Sequence, residues 1–191
     1  MNTIAIIDYG MSNLSSVVKA TKYVAPNDSV IVTSNSGEIN NADKVIFPGQ
    51  GAAKNCMESI YDQNLDKIIK KSSQEKPFLG ICMGMQVLMS YSEENAGTNC
   101  LDIFEGKVRK FKKRKDAKIK IPHMGWNRVL KKSDHPIWHK IKDESYFYFV
   151  HSYFVDPIDK SNVIGETEYG GIFSSVIAKD NIVAIQGHPE K

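Results

Sequence analysis

The chain has 191 residues, is 41% hydrophobic and 25% charged, and carries a formal net charge of +3. That size fits one soluble domain, residues 1–191, with interior enough for a real core, and so small a charge asks for no nucleic-acid partner. No apolar stretch approaches the length needed to span a bilayer, and the run from Ile4 to Ile7 is cut by Asp8 with no basic segment before it, so neither membrane insertion nor export is expected. Cys56, Cys82 and Cys100 form neither a disulfide framework nor a metal-ligand spacing, which fits a reducing compartment and makes the cytoplasm the expected location.

The first predicted element is a short buried strand from Thr3 to Asp8, followed by Asp8-Tyr9-Gly10 and by helical spacing from Ser12 to Tyr23. A second strand, Lys44 to Phe47, runs into Pro48-Gly49-Gln50-Gly51, a loop that lacks the pattern of a phosphate or dinucleotide cradle and by spacing alone reads as a turn. Helical spacing returns from Asn55 to Lys71, and Pro77 to Ile81 reads as a third strand. This alternation predicts an α/β fold with a mostly parallel central sheet and helices on both faces. The half from Val108 to Ser175 is richer in β-branched and aromatic residues and is expected to add antiparallel strands, with Phe147 and Phe149 packing inward. The basic run from Lys107 to Lys120, with Lys110, Lys112, Lys113, Arg114 and Lys115 clustered, has little aromatic interleaving and reads as a solvated loop. His123, His135, His139 and His151 lack ligand spacing and read as structural or surface histidines, so no metal site is expected. The last predicted strand, Ile182 to Gln186, leads into Gly187-His188-Pro189-Glu190, and no internal repeat or linker interrupts the chain.

Gly80-Ile81-Cys82-Met83-Gly84 joins the third strand to a helical pattern through a cysteine flanked by glycines, which is the form of a nucleophile elbow. A cysteine at the resulting helix N-terminus meets unpaired N–H groups and the positive end of the helix dipole, both of which favour the thiolate and would hold an oxyanion after attack on a carbonyl. A buried structural cysteine is the competing reading. His188 and Glu190 stand two apart in extended chain, so they face the same way and the carboxylate can orient the imidazole. Alone, His-Pro-Glu is a common surface turn; paired with the elbow it supplies a base and an orienter for a nucleophile. In an open α/β sheet the site lies at the carboxyl ends of the strands, and Asp8-Tyr9-Gly10, the loop 48–51, Cys82 and His188 each follow a predicted strand directly.

On these motifs, Gly80 to Gln86 together with His188 to Glu190, the chain resembles the class I (triad) glutamine amidotransferases. More narrowly it is similar to the family of glutaminase subunits of imidazole glycerol phosphate synthases, through Asp8 to Leu14, Pro48 to Gly51, Ser92-Glu93-Glu94, Pro122 to Asn127, Tyr146 to Tyr153 and His188 to Lys191. The resemblance covers essentially the whole chain and implies a flavodoxin-like sheet with an added antiparallel region. It implies a Cys82, His188 and Glu190 triad; an oxyanion hole from the backbone of Met83 and of Gly49, Gln50 and Gly51, with a loop peptide that must reorient; and L-glutamine held by Gln86, Glu94 and Ser152. It further implies a heterodimer in which Asn13, Trp126, Tyr148 and Lys191 face a (β/α)8-barrel synthase subunit that receives ammonia through a tunnel. No cofactor is implied. Without the resemblance, Gln86 reads as a solvent-facing helix residue, Glu94 as a helix end, and Trp126 and the aromatic strand as core.

The implied chemistry is hydrolysis of glutamine through a thioester, with ammonia passed on for the partner to make imidazole glycerol phosphate and an aminoimidazole carboxamide ribonucleotide in histidine biosynthesis. Four departures from the family pattern stand out: Gln50 in place of a small aliphatic residue; Met83 in place of the commoner leucine; Gly187 in place of a bulky residue, expected to remove a wall beside the base; and no closing helix after Lys191, which reads either as a trimmed chain or as a sheet face left uncovered. Three alternatives remain at this stage. They are a paralogous subunit supplying ammonia for sugar amidation in surface polysaccharide synthesis, a non-catalytic interaction subunit, and a self-contained hydrolase.

Overall fold

The computed structural model describes residues 1–11, 13–112 and 119–191; Ser12, and Lys113, Arg114 and Lys115 of the basic run, lie outside the described residues. Five parallel strands run side by side in the order β2 (Ser29–Thr33), β1 (Thr3–Ile7), β3 (Lys44–Gly49), β4 (Phe78–Cys82) and β13 (Ile182–Ile185). Four of these are the strands expected from the apolar runs. The fifth, β2, is an edge strand of intermediate exposure, which is why no strong apolar signal marks it in the sequence.

Four helices connect the parallel strands: α1 (Leu14–Val24), α2 (Ser36–Asn41), α3 (Ala53–Asp62) and α4 (Asp66–Glu75). The short α2, not anticipated from periodicity, is set by its cap, because the Asn35 side chain accepts from the N–H groups of Gly37 at 2.8 Å and Glu38 at 3.1 Å. The single helical stretch expected over Asn55 to Lys71 is two helices, α3 and α4. Asn64 adopts φ 56°, a conformation that asparagine tolerates better than most residues, and the Leu65 N–H turns back to the Ile60 carbonyl at 2.9 Å.

Beyond β13 the sheet becomes mainly antiparallel, through β12 (Ile172–Lys179), β10 (Tyr153–Pro157), β7 (Phe104–Lys110), β5 (Met89–Ser92) and β6 (Thr98–Asn99), with β5 and β7 parallel. A branch leaves β12 through β11 (Val163–Glu168) to β8 (His123–Lys131) and β9 (Ser145–His151). On one face of the β8–β9 pair, Met124 lies opposite Val150, Trp126 opposite Tyr148 and Arg128 opposite Tyr146. Successive strand side chains point to opposite faces. So Ile7 packs in one core layer with Tyr9, Phe47, Ile60 and Ile69, and Ile6 in the other with Val17, Ile81, Phe149 and Phe173. The carboxyl ends of β1, β3, β4 and β13 therefore open together on one edge, between the parallel half and the antiparallel branch.

Candidate functional site

Strand β4 ends at Cys82, whose φ of 55° and ψ of −111° place a non-glycine residue in strained backbone, the geometry of an elbow. The helix that follows, α5 (Met83–Gln86), is a single turn lying against the β3 strand end. Gly84 permits that approach, since a Cβ there would run into the Phe47 carbonyl oxygen.

The imidazole comes from the chain leaving β13. Gln186 N–H donates to the Ser175 carbonyl at 2.8 Å and His188 N–H to the Tyr148 carbonyl at 2.9 Å, which fastens the turn to both β12 and β9. His188 Nδ1 lies 2.8 Å from Glu190 Oε1. A carboxylate only accepts, so Nδ1 carries the proton and Nε2 is left buried with no hydrogen-bond partner among the described residues. Burial opposes charge on this ring, but the neighbouring Cys82 and Glu190 overcome it and raise His188 to about 10. Burial likewise pushes Glu190 up, and its hydrogen bond to His188 outweighs that and holds the carboxyl below its ordinary range. Gly187 does not leave the gap expected beside the base. A Cβ there would sit 2.9 Å from Phe147 Cβ and 3.4 Å from Phe149 Cζ, so aromatic side chains of β9 already fill the place.

Cys82 and His188 open on a cavity of about 530 Å³ whose walls include Gln50, Gly51, Met83, Gln86, Glu94 and Ser152. Gln86 is buried, at 2% exposure, and so is not the solvent-facing helix residue that periodicity alone suggests. Its Nε2 donates to Gln186 Oε1 at 2.8 Å and to the Tyr153 carbonyl at 3.2 Å. Glu94 Oε2 accepts from the Ala53 N–H at the start of α3 at 2.7 Å, which anchors this carboxylate at the cavity wall. In the loop after β3, Gln50 N–H donates to the Met11 carbonyl at 2.7 Å, and the Gln50 carbonyl accepts from Cys56 Sγ at 3.4 Å. Burial pushes the Cys56 thiol up to about 11, so it remains a donor at neutral pH.

Residues 5–191 match the family model described as glutamine amidotransferase class-I. The chain belongs to the class I glutamine amidotransferases. It is 52% identical over 189 residues to a protein named imidazole glycerol phosphate synthase subunit HisH from Hydrogenovibrio crunogenus, covering 98% of this chain and 89% of that one. It is 47% identical over 194 residues to a protein of the same name from Pseudomonas putida, covering 100% and 91%. Among solved structures, a glutamine amidotransferase from Thermotoga maritima superposes with a TM-score of 0.69 at 18% identity, covering 99% of this chain and 76% of that one. Another, described as a glutamine amidotransferase, gives 0.74 at 12% identity, covering 98% and 90%. At those identities the structures show the fold alone.

In this amidotransferase a second, smaller cavity of about 180 Å³ shares Gln50 and His188 with the first and is lined by Asn13, Tyr148 and Lys191. Trp126 is 58% exposed and meets Tyr148 edge to face with ring centroids 5.8 Å apart, so it is not core. Asn13, Trp126, Tyr148 and Lys191 thus gather at one surface, outside the turn that carries His188. The sequence marks Tyr9 only as part of the motif that ends β1, gives Gln186 no role, and reads His151 as a structural or surface histidine. Tyr9 is fully buried beneath the loop, its hydroxyl donating to Cys56 Sγ at 3.8 Å, and burial raises it well above its ordinary range. Gln186 shows in the sequence only as the polar end of an apolar strand. His123 and His151 form a buried pair, ring nitrogens 2.9 Å apart, and burial lowers them to about 4 and about 3. Among the described residues, no three His, Cys, Asp or Glu side chains are grouped as a metal requires, and no helix is long and apolar enough to cross a membrane.

Proposed function

We propose that the protein is the glutaminase subunit of an imidazole glycerol phosphate synthase, hydrolysing L-glutamine to glutamate and passing the ammonia to a synthase subunit in histidine biosynthesis. The observation that carries the reading is the 52% identity to a HisH subunit over 98% of the chain. In this reading the Cys82 thiolate attacks the side-chain amide carbon of glutamine in the larger cavity. The raised affinity of His188 for its proton keeps an imidazolium beside Cys82 at neutral pH, and His188 then gives that proton to the departing ammonia. The same ring activates the water that releases glutamate from the thioester, while Glu190 fixes its orientation.

The oxyanion falls to the Met83 N–H and to the backbone of Gly49, Gln50 and Gly51. The Gln50 N–H is engaged by Met11, so the loop must turn a peptide before that donor serves, and Gly51, at φ 91°, makes such a turn inexpensive. Gln86, Glu94 and Ser152 hold the substrate, the carboxylate of Glu94 matching an α-ammonium. The partner, a (β/α)8 barrel, docks over Asn13, Trp126, Tyr148 and Lys191 to form a cytoplasmic heterodimer, and the small cavity behind His188 is the start of the ammonia path.

The test is glutamate release with and without a purified histidine-pathway synthase subunit and its nucleotide ligand, for the natural chain and for Cys82→Ala. Release that is stimulated by the liganded partner and abolished by Cys82→Ala is expected. Equal turnover with and without partner, or turnover that survives Cys82→Ala, overturns the reading.

A further inference from the structure

Behind the cavity wall runs a chain of hydrogen bonds whose direction can be read from one end to the other. The Tyr153 carbonyl is a pure acceptor, and it takes two donors: His151 Nδ1 at 2.7 Å and Gln86 Nε2 at 3.2 Å. The first contact fixes the proton of His151 on Nδ1, so its Nε2 accepts from His123 Nδ1 at 2.9 Å, and His123 Nε2 in turn accepts from Asn127 Nδ2 at 3.2 Å. Both rings are therefore neutral donors and acceptors in series, in keeping with the lowered protonation that burial imposes on each. The second contact fixes which end of the Gln86 carboxamide carries nitrogen. With Nε2 turned to Tyr153 and to Gln186 Oε1, Gln86 Oε1 is left as a buried acceptor with no partner among the described residues, in a side chain that lines the cavity.

Gln186 closes the series. It is fully buried, its Oε1 is occupied by Gln86, and its Nε2 therefore points to Cys82 Sγ, 3.7 Å away. His188 is the other side chain beside this sulfur, but the Gln186 amide does not titrate, so its N–H···S contact is present in every protonation state of His188.

We propose that Gln186 is a positioning residue with two effects on one reaction: its amide nitrogen holds the Cys82 sulfur, and its amide oxygen holds Gln86 so that the Gln86 carbonyl faces the substrate's N–H donors. This rests on the reading of Cys82 as the nucleophile, and the experiment separates the two. Alkylation of Cys82 by iodoacetamide is followed against pH by peptide mass, and the KM for glutamine is measured in the synthase complex, for the natural chain, Q186M, Q86M and the double variant. Losing an N–H donor to a thiolate moves the alkylation half-point of Q186M up by about half a pH unit or more, and Q86M, which leaves the donor in place but frees the Gln186 amide to turn, moves it by less. KM rises about three- to tenfold in Q186M and in Q86M, and the double variant resembles Q86M alone because both changes act through the same carboxamide.

An unmoved alkylation profile in Q186M, or KM effects that multiply in the double variant, overturns the proposal while leaving the nucleophile reading intact. Turnover surviving Cys82→Ala defeats the nucleophile reading instead. Should Q186M not fold, Q186E keeps the shape and the acceptor for Gln86 but replaces the donor with a carboxylate. It is expected to move the alkylation half-point up with KM close to natural, and an unchanged half-point overturns the proposal equally.

Discussion

Lowering the pH from 7.5 to 5.0 should destabilise this protein through two buried histidines. His123 lies between the rings of Phe149 and Tyr169, centroids 4.9 and 3.9 Å away, and is 3% exposed; His151 is bonded to it and to the Tyr153 carbonyl. An unfolded histidine titrates at about 6.5, whereas these titrate at about 4 and about 3 in the fold. A depressed folded value gives stability that is complete above the unfolded value and is lost as pH falls, because the unfolded chain then binds more protons. Over that interval the loss integrates to about 2 kcal/mol for each ring, or about 4 for the pair, and relaxation around a charged ring brings the expectation to about 2 to 4 kcal/mol. His188 acts oppositely over the same interval, so the diagnostic quantity is a difference. Urea midpoints of the natural chain and of His151→Gln, taken at both pH values, should show the variant losing about 1 to 2 kcal/mol less on acidification. Equal losses in the two proteins would refute the reasoning.

The remaining predictions concern the elbow, the base and the docking face. Gly84→Ala drives a methyl into the Phe47 carbonyl and should cost about 2 kcal/mol or more, read as a lowered urea midpoint together with lost turnover; an unchanged midpoint would mean that α5 shifts freely. His188, raised to about 10, contributes stability that is complete below about 6.5 and is lost as pH climbs toward 10, so His188→Gln should flatten the alkaline side of the stability profile, and a variant with the natural alkaline slope would contradict the assignment. Trp126→Ala removes an exposed ring and should leave the melting temperature within about 1 °C or 2 °C while weakening partner binding about tenfold or more in a titration calorimeter; undiminished affinity would place the docking face elsewhere.

Much of this arrangement is legible in the sequence because strong local signals coincide with it. The four apolar runs that became β1, β3, β4 and β13 have the length and flanking glycines of buried parallel strands, and their ends meet at one edge because the sheet is parallel there. Elements without such a signal were missed: β2 is half exposed, α2 is held by a single capping asparagine, and the break between α3 and α4 depends on one left-handed residue inside an unbroken helical pattern. The polar series through Gln186, Gln86 and His151 was not legible for a different reason. Its members lie just after β13, on α5 and on β9, and nothing in their local sequence records that the fold brings them into hydrogen-bonding distance. Gln86 and Trp126 show the same limit, since exposure is a tertiary property: periodicity points one outward and the other inward, and the fold reverses both.

The filling of the Gly187 site from the neighbouring strand ties two distant positions together. Phe147 Cβ and the tip of the Phe149 ring take the space that a side chain at 187 would need, so a larger residue at 187 is tolerable only when the β9 backbone stands further from the turn. Gly187→Phe should therefore displace the turn that carries His188, and Phe147→Ala should not restore it, because alanine keeps the Cβ that stands 2.9 Å away. The size allowed at 187 is thus set by how near one strand's backbone runs to the turn, and a lineage could enlarge that position only by moving the strand.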